Sequence, residues 1–523
     1  MTSAPVEQVT TTILRGAPAA DAVVVPIPAL LEQRSRDSSA RAAVEGESGA
    51  LTFGELYDNA RRLASALDEL GCGAGEVVAV HLSNQHAAEM FLSFSGATGN
   101  GSLFAPLSTR TSGVELRRLL DLLRPKLVIS AGPEAIQEAA GDAPPAVWDV
   151  AELRRQVSGA RAKAFPSLSA DQDAAILCTS GTTGTPKGAI YTHAEICRVA
   201  ERTLSIAGPE AALPEMRPGD LYQVPLPLYT SSGVLNVMSA VLYRGLSALI
   251  EPRFAVTECL RLLEERRARL FFAVPAMLVL LMEAARPRAA APGVTLTGGA
   301  PIPAELVARL DAAWPGTTLV NNYGSTEAGG AGTFACGAVL RAHPGSVGYP
   351  LAGCEVRIVA RYTETAHEGI GDVEVRGPGV MRGFLDNPDA TAEAISPDGW
   401  IKVGDLGRIA GGLLYLAGRK HDMIIRGGFN IMPREVEAAL EAHDAVLEAG
   451  VVAREHPVLG EDLVAFVVPR PNSRAPSPDE LRHHCLKRLA DYKAPRDIRV
   501  TCEPLPRNSP GKLLRAELLK RVA

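Results

Sequence analysis

The sequence predicts an α/β protein: a large, multi-lobed N-terminal domain of mainly parallel sheets packed by helices, followed by a small α+β domain. Three observations carry this. First, 523 residues exceed what one hydrophobic core can fill, and an apolar content of 46% is enough for two or three cores. Second, helical periodicity alternates with short apolar runs over the first two-thirds of the chain, the pattern of parallel strands joined by helices. Third, after about Gly418 the chain turns to short charged helices and strands, such as "PREVEAALEAH" and "LVAFVVP". The boundary is expected in "YLAGRKHDM", giving domains 1–417 and 418–523.

From Thr52, residues Leu56, Ala60, Leu63, Leu67 and Leu70 step by four and three, and Thr52 with Glu55 forms a capping box. Gly73-Ala74-Gly75 breaks that helix and "VVAV" from Val77 reads as a strand. The unit recurs: Ser112 with Glu115 caps "VELRRLLDLL", and "KLVIS" follows Pro125 as a strand. Further strands are expected at "AAILC" from Ala174, "SALIE" from Ser247, "LFFAV" from Leu270, "VTLTG" from Val294 and "TTLVN" from Thr317. Charged residues make up 21% and the net charge is −6, so no global basic field marks the chain for nucleic acid or anionic lipid. The eight cysteines are scattered without metal-ligand spacing and read as reduced thiols. The N-terminus lacks the pattern of a secretory signal, and the apolar runs "LFFAVPAMLVLLM" and "GVLNVMSAVLY" are shorter than a membrane span. The expectation is a soluble, cytoplasmic protein.

The stretch "CTSGTTGTPKGAIYTH", Cys178 to His193, is rich in glycine and hydroxyl residues around Lys187. Its backbone N–H groups can approach an anion closely, with the hydroxyls as further donors and Lys187 as a point charge. It departs from the common nucleotide loop, in which Lys is followed directly by Ser or Thr opening a helix, because here Gly188 and Ala189 follow. By itself the stretch reads equally as a Gly/Thr turn between a strand and the next element. It is joined by "LTGGAP" (296–301), "NNYGSTE" (321–327), "VRGPGVMRGFLDNPDAT" (375–391), "GWIKVGDLG" (399–407), "GRKHDMIIRGGFNIMPREVE" (418–437) and "PLPRNSPGKLLR" (504–515). Together, in this order, these motifs resemble the adenylate-forming superfamily of acyl-CoA synthetases, luciferases and adenylation domains, from about Leu51 to Lys512.

That resemblance implies roles for individual residues. Thr179, Ser180, Gly181, Thr182, Thr183 and Gly184, with Lys187, would hold the β- and γ-phosphates of ATP. Gly298, Gly299 and Ala300, which otherwise read as a tight turn, would let a flat adenine lie against backbone, with Tyr323 stacking on it and Asn322 bonding its edge. Thr326 would donate to the α-phosphate. Glu327, which alone would read as a surface charge, would bind Mg²⁺. Asp405 would accept from the ribose hydroxyls, with Arg419 as a second ribose or phosphate contact; between glycines, Asp405 otherwise reads as turn chemistry. Lys512, whose plain reading is a solvated tip, would be the lysine that a mobile C-terminal domain carries to the reacting carboxylate and α-phosphate. In-line attack of one anion on another leaves the protein to supply position and positive charge, from Mg²⁺, Lys187, Lys512 and the Thr hydroxyls.

The acid pocket is expected from Tyr229, Thr230 and Gly233, from Gly298 to Ala300, and from Gly324, Gly329 and Gly330. Gly427 and Gly428 would line the path of the acceptor thiol, and His421 would be the hinge. Two positions depart from the family's habit: Thr230 follows an aromatic residue where acyl-CoA synthetases often carry His, and His421 stands where Asp or Lys is usual. Three functions are in view. The first is an acid–CoA ligase that makes acyl-AMP and pyrophosphate from a small carboxylic acid and ATP, then a thioester with CoA; an aryl or medium acyl acid is expected. The second is a stand-alone adenylating enzyme that serves a carrier protein, in trans, or a non-thiol nucleophile. The third, a nucleotide-binding regulator without catalysis, conflicts with the joint presence of Glu327, Asp405, Arg419 and Lys512.

Overall fold

The computed structural model describes residues 10–18, 24–141, 144–180, 186–204, 213–284, 290–330, 332–360, 369–419, 422–426, 429–456, 459–471, 473–489, 491–507 and 513–522. The chain divides into two compact units: Ile13–Val356 with Glu374–Val403, and Met1–Thr12 with Arg357–Val373 and Gly404–Ala523.

In the larger unit the helix Phe53–Glu69 begins at the expected capping box. The Glu55 N–H donates to Thr52 Oγ1 at 3.2 Å, and the Thr52 N–H to Glu55 Oε2 at 2.9 Å. It ends at Leu70 and Gly71, whose φ of 79° only glycine adopts without strain, two residues before the expected break. The helix Gly113–Leu123 repeats the device with Ser112 and Glu115. Val77–His81, Leu103–Pro106 and Leu127–Ser130 are parallel neighbouring strands. Every residue of Val77–His81 is buried, as expected of a strand with helices on both faces. They belong to a sheet in the order Gly383–Phe384, Pro186–Thr192, Asp173–Ser180, Leu103–Pro106, Val77–His81, Leu127–Ser130, Ala146–Trp148.

A second sheet contains Thr318–Tyr323, Val294–Gly298, Leu270–Phe272, Leu221–Val224, Ser247–Ile250 and Ala42–Gly46, side by side and parallel. Thr333–Cys336 then pairs antiparallel with Thr318–Tyr323. The expected strands at Ala174, Ser247, Leu270, Val294 and Thr317 are therefore all present.

The smaller unit is α+β. Its long hairpin Val446–His456 and Gly460–Pro469 is flanked by Ile424–Arg426, Phe429–Ile431 and Asp497–Val500. Helices Pro433–Glu441 and Pro478–Leu486 cover one face of this sheet through Val436, Leu440, Leu481 and Cys485, packed on Val451, Leu463 and Ala465. All eight cysteines are free. Among the described residues no helix is long and apolar enough to cross a membrane, and no group of three or more His, Cys, Asp or Glu is gathered to hold a metal.

Candidate nucleotide and acid site

Two motifs far apart in sequence meet because their strands are parallel neighbours that end together. Val294–Gly298 pairs with Thr318–Tyr323, with Gly298 opposite Asn322. The carboxyl ends of parallel strands are where α/β sheets open binding crevices. A Cβ on Gly298 would lie 2.5 Å from the Asn322 carbonyl oxygen, so only glycine permits this approach. Gly299 follows at φ 77°, exposed, with nothing within 4 Å of where a Cβ would stand. Asn322 is 8% exposed and its Oδ1 is buried without a hydrogen-bond partner. A buried acceptor left unpaired costs roughly 1–3 kcal/mol, so this atom is suited to a donor on a flat ligand.

Beyond Tyr323, itself buried, Gly324 leads into a tight turn. The N–H groups of Ala328 and Gly330 donate to the Ser325 carbonyl at 3.2 and 2.9 Å, and the Gly329 N–H donates to that of Thr326 at 3.2 Å. Three groups from elsewhere hold the turn. The Tyr191 hydroxyl donates to the Thr326 carbonyl. Burial first, and the Glu327 charge second, push the Tyr191 phenol up, which keeps it protonated and a donor. Arg202, only 2% exposed, donates through Nη2 to the carbonyls of Ala328 at 2.9 Å and Gly329 at 3.0 Å, and through Nη1 to that of Pro378. The Met381 N–H donates to the Glu327 carbonyl at 3.0 Å. The Thr326 hydroxyl donates to Ser231 Oγ at 3.0 Å, and the Glu327 side chain is half-buried. Gly329 has no open space beside it: a Cβ would lie 2.1 Å from the Gly379 carbonyl oxygen and 2.4 Å from Arg202 Nη2. Packing, rather than room for an acyl chain, is what requires glycine there.

The segment carrying Tyr229 and Thr230 begins a helix. Thr230 Oγ1 donates to the Pro227 carbonyl at 2.8 Å and accepts from the Gly233 N–H at 3.1 Å, so this hydroxyl caps the helix from its own side chain. Gly233 is pressed onto Leu228, where a Cβ would meet the carbonyl oxygen at 2.2 Å. Residues Gly233–Met238 form a wide π-type turn, a feature that recurs at functional sites. It contains the buried Asn236, which accepts from Thr203 Oγ1 at 3.1 Å and lies beside Gly330. Asn84 fixes the preceding loop, donating to the carbonyls of Leu226 and Glu251 at 2.8 and 2.9 Å and accepting from the Leu228 N–H at 2.9 Å.

The Gly/Thr stretch joins two antiparallel strands, with Thr179 opposite Lys187 and Ser180 opposite Pro186. Lys187 Nζ lies over the Phe384 ring, 5.0 Å from its centre. Gly181, Thr182, Thr183, Gly184, His421, Gly427, Gly428 and Lys512 lie outside the described residues. In the smaller unit a second hairpin sets Asp405, 7% exposed, opposite Arg419.

Residues 30–385 match the profile of the AMP-binding enzyme, and residues 435–512 that of the AMP-binding enzyme C-terminal domain. The chain belongs to the AMP-binding enzyme family. It is 33% identical to sulfoacetate–CoA ligase of Cupriavidus necator, over 90% of this chain and 93% of that one. It is 30% identical to 2-succinylbenzoate–CoA ligase of Bacillus licheniformis, over 94% and 99%. O-succinylbenzoate coenzyme A synthetase from Bacillus subtilis, solved with ATP and magnesium ion, superposes with a TM-score of 0.80 at 28% identity, over 94% of this chain and 99% of that one. This AMP-binding enzyme is thus an adenylate-forming ligase, as its motifs imply.

Reading the sequence alone does not pick out Tyr191, Arg202, Asn84 or Asn236. Tyr191 had a usable signal: it follows the loop at alternate positions to Lys187 and Ala189 in an apolar strand, where a hydroxyl needs a partner. Arg202 had none, because an arginine near a helix end reads as solvated.

Proposed function

We propose that this AMP-binding enzyme is an acid–CoA ligase acting on an aryl-type carboxylic acid. ATP and the acid give acyl-AMP and pyrophosphate, and CoA then displaces AMP to form the thioester. The observation that carries the reading is the convergence of the Gly298–Asn322 cradle with the Thr326–Glu327 turn, held from outside by Tyr191 and Arg202. The cradle fits adenine: a backbone surface that a Cβ would obstruct, and a buried acceptor, Asn322 Oδ1, left for a ligand donor. Thr326 donates to the α-phosphate, and Lys187 and Lys512 bring positive charge to the phosphates and the attacking carboxylate.

Mg²⁺, when bound, neutralises charge on the phosphate oxygens. Glu327 would hold it, and a single carboxylate suits an ion that is usually held by one or two carboxylates with phosphate oxygens and water completing its shell. Asp405 and Arg419, set opposite one another, take the ribose. In the acid pocket Thr230 keeps the helix start in place, a role that survives without the His common at this position. His421 is the pivot and Gly427-Gly428 the thiol path. The aryl preference draws on the similarity to 2-succinylbenzoate ligases and on the motif "GRKHDMIIRGGFNIMP". In the proposed reading the enzyme works in the cytoplasm, where ATP and CoA are at hand.

The test is a pyrophosphate-release screen over aromatic, fatty and small polar acids, with and without CoA. An aromatic acid giving both pyrophosphate and a CoA thioester is the expected result. Pyrophosphate without any thioester would point to a carrier protein or a non-thiol acceptor, and no pyrophosphate with any acid would overturn the catalytic reading.

A further inference from the structure

We infer that Phe384 is a positioning residue for Lys187: its ring face holds the ammonium in place for the outer phosphates of ATP without neutralising its charge. The inference rests on the phosphate-binding role of Lys187 proposed above, and it gives the motif "VRGPGVMRGFLDNPDAT" a part in the chemistry.

Strand register brings the two residues together. Gly383–Phe384 runs antiparallel to Pro186–Thr192, with Phe384 opposite Ala189 and Gly383 opposite Ile190. Lys187 stands two residues before Ala189, so Lys187, Ala189 and Phe384 share one face of the sheet, and Lys187 is the diagonal neighbour of the ring. Ala189 carries only a methyl group, which leaves the ring room to lie across toward the lysine. Lys187 Nζ is 5.0 Å from the ring centre, inside the distance of about 6 Å at which an ammonium is drawn to the negative face of an aromatic ring. Phe384 is 8% exposed, so little water competes for that contact.

The segment that carries the ring is itself fixed. The Phe384 N–H donates to Thr391 Oγ1 at 2.8 Å, and Thr391 Oγ1 donates to the Asn387 carbonyl at 2.9 Å. On either side, the Arg382 N–H donates to the Ile190 carbonyl at 2.9 Å and the Leu385 N–H to that of Gly188 at 2.8 Å. Arg382 also pairs with Asp173 on the strand beyond, Nη1 to Oδ1 at 2.7 Å. The Met381 N–H reaches the Glu327 carbonyl, so the same short segment also touches the turn proposed to hold the metal. An ammonium on a flexible four-carbon stem needs restraint if it is to meet a phosphate in one geometry. A carboxylate could supply that restraint, but it would offset the positive charge that the phosphates require. A neutral ring face restrains the ammonium and leaves its charge in place.

The test combines Phe384→Leu, which keeps apolar bulk but removes the ring, with Lys187→Met. The readouts are ATP affinity in the absence of acid, pyrophosphate release, and thioester formation from preformed acyl-adenylate. Lys187→Met should slow pyrophosphate release roughly 100- to 1,000-fold, by analogy with removal of a donor to developing charge. Phe384→Leu should weaken ATP binding and slow pyrophosphate release, each about 2- to 30-fold. In the Lys187→Met background it should change neither further, because a residue that acts through the lysine has nothing left to act on. Preformed adenylate carries no outer phosphates, so both single variants should use it at near wild-type rate. Replacing Phe384 by a ring-fluorinated phenylalanine keeps the shape and weakens the negative ring face; it should also weaken ATP binding, and it takes the place of Phe384→Leu should that variant unfold. ATP affinity unchanged by fluorination, or losses from Phe384→Leu that persist in the Lys187→Met background or fall equally on both steps, would assign Phe384 to packing alone and overturn the inference while leaving the role of Lys187 intact. If Lys187→Met alone leaves ATP affinity and pyrophosphate release unchanged, the reading of Lys187 fails, and this inference with it.

Discussion

Gly329→Ala tests whether the turn after Thr326 and Glu327 positions the chemistry. The new methyl would sit 2.1 Å from the Gly379 carbonyl oxygen and 2.4 Å from Arg202 Nη2, whereas real Cβ atoms essentially never come closer than 3.0 Å. The residue's φ of 79° adds about 1–2 kcal/mol of left-handed strain for any side chain. Gly379 is backbone and Arg202 is held by three carbonyls, so the turn itself must retreat, by roughly 1 Å, and a misplacement of that size near a reacting group costs about 100-fold. The Gly329 N–H is bonded to the Thr326 carbonyl, so the shift reaches the residue assigned to the α-phosphate. Pyrophosphate release should therefore fall about 100-fold while the protein still melts cooperatively. Gly345→Ala is the control: its φ is 83° with nothing within 4 Å, so it carries the backbone strain without the collision. Pyrophosphate release by Gly329→Ala equal to that of Gly345→Ala would refute the argument that packing behind the turn sets the geometry in front of it.

Three further outcomes are expected. Glu327→Gln keeps the shape of the side chain but not its charge, and should abolish Mg²⁺-dependent pyrophosphate release in a folded protein; activity that still saturates with Mg²⁺ as in the wild type would remove Glu327 from the metal site. Gly428→Leu should leave pyrophosphate release intact and stop thioester formation from preformed adenylate, and loss of both steps would remove Gly428 from the thiol path. His193 is fully buried, accepts the Ile27 N–H at 3.2 Å through Nδ1, and is pushed down to about 4 by burial. Since its folded pKa lies below the unfolded value of about 6.5, the unfolded chain takes the proton first; stability is full above about pH 6.5 and falls toward pH 4 by up to roughly 3 kcal/mol. His193→Gln, compared with wild type by urea unfolding at about pH 7.5 and about pH 5, should lose that part of the acid sensitivity, and an unchanged difference would assign it to other groups.

What was legible in the sequence was local. The capping boxes at Thr52–Glu55 and Ser112–Glu115 are two residues three apart, and both form as read. A third, Thr192–Glu195, starts the helix His193–Leu204 with the same spacing, but the Gly/Thr stretch before it gives no sequence signal of which element it caps. Gly233, Gly298 and Gly329, at each of which a Cβ would collide with backbone, stand among the site residues expected from the motifs, but the physical reason at Gly329 is a contact with Gly379 and Arg202 that no local pattern encodes. Arg202 reaches Ala328 and Pro378 across 126 and 176 residues, and no periodicity within a helix encodes so distant a partner.

The same contrast explains why the Gly/Thr stretch, proposed to hold the phosphates, does not spell the common nucleotide motif. Where such a loop opens a helix, the residue after the lysine can turn a hydroxyl toward the metal. Here the chain returns as the antiparallel strand Pro186–Thr192, so Lys187 and the residue after it point to opposite faces. That next residue, Gly188, lies against the neighbouring strand, where a Cβ would be 2.8 Å from Ile176 Cγ2 and 3.4 Å from Leu385 Cβ. A Ser or Thr hydroxyl at 188 would be driven into an apolar core formed with Ile176 and Leu385 rather than toward a phosphate. Once the loop is a hairpin, the oxygen ligand for magnesium has to come from another element. In the proposed reading it comes from Glu327, beyond the end of a strand in the other sheet, on a turn held by Tyr191 of the hairpin's own second strand. The Tyr191–Thr326 hydrogen bond therefore joins the strand that carries Lys187, the residue proposed to meet the outer phosphates, to the turn proposed to meet the α-phosphate and the metal, with Tyr191 four positions beyond Lys187 along that strand.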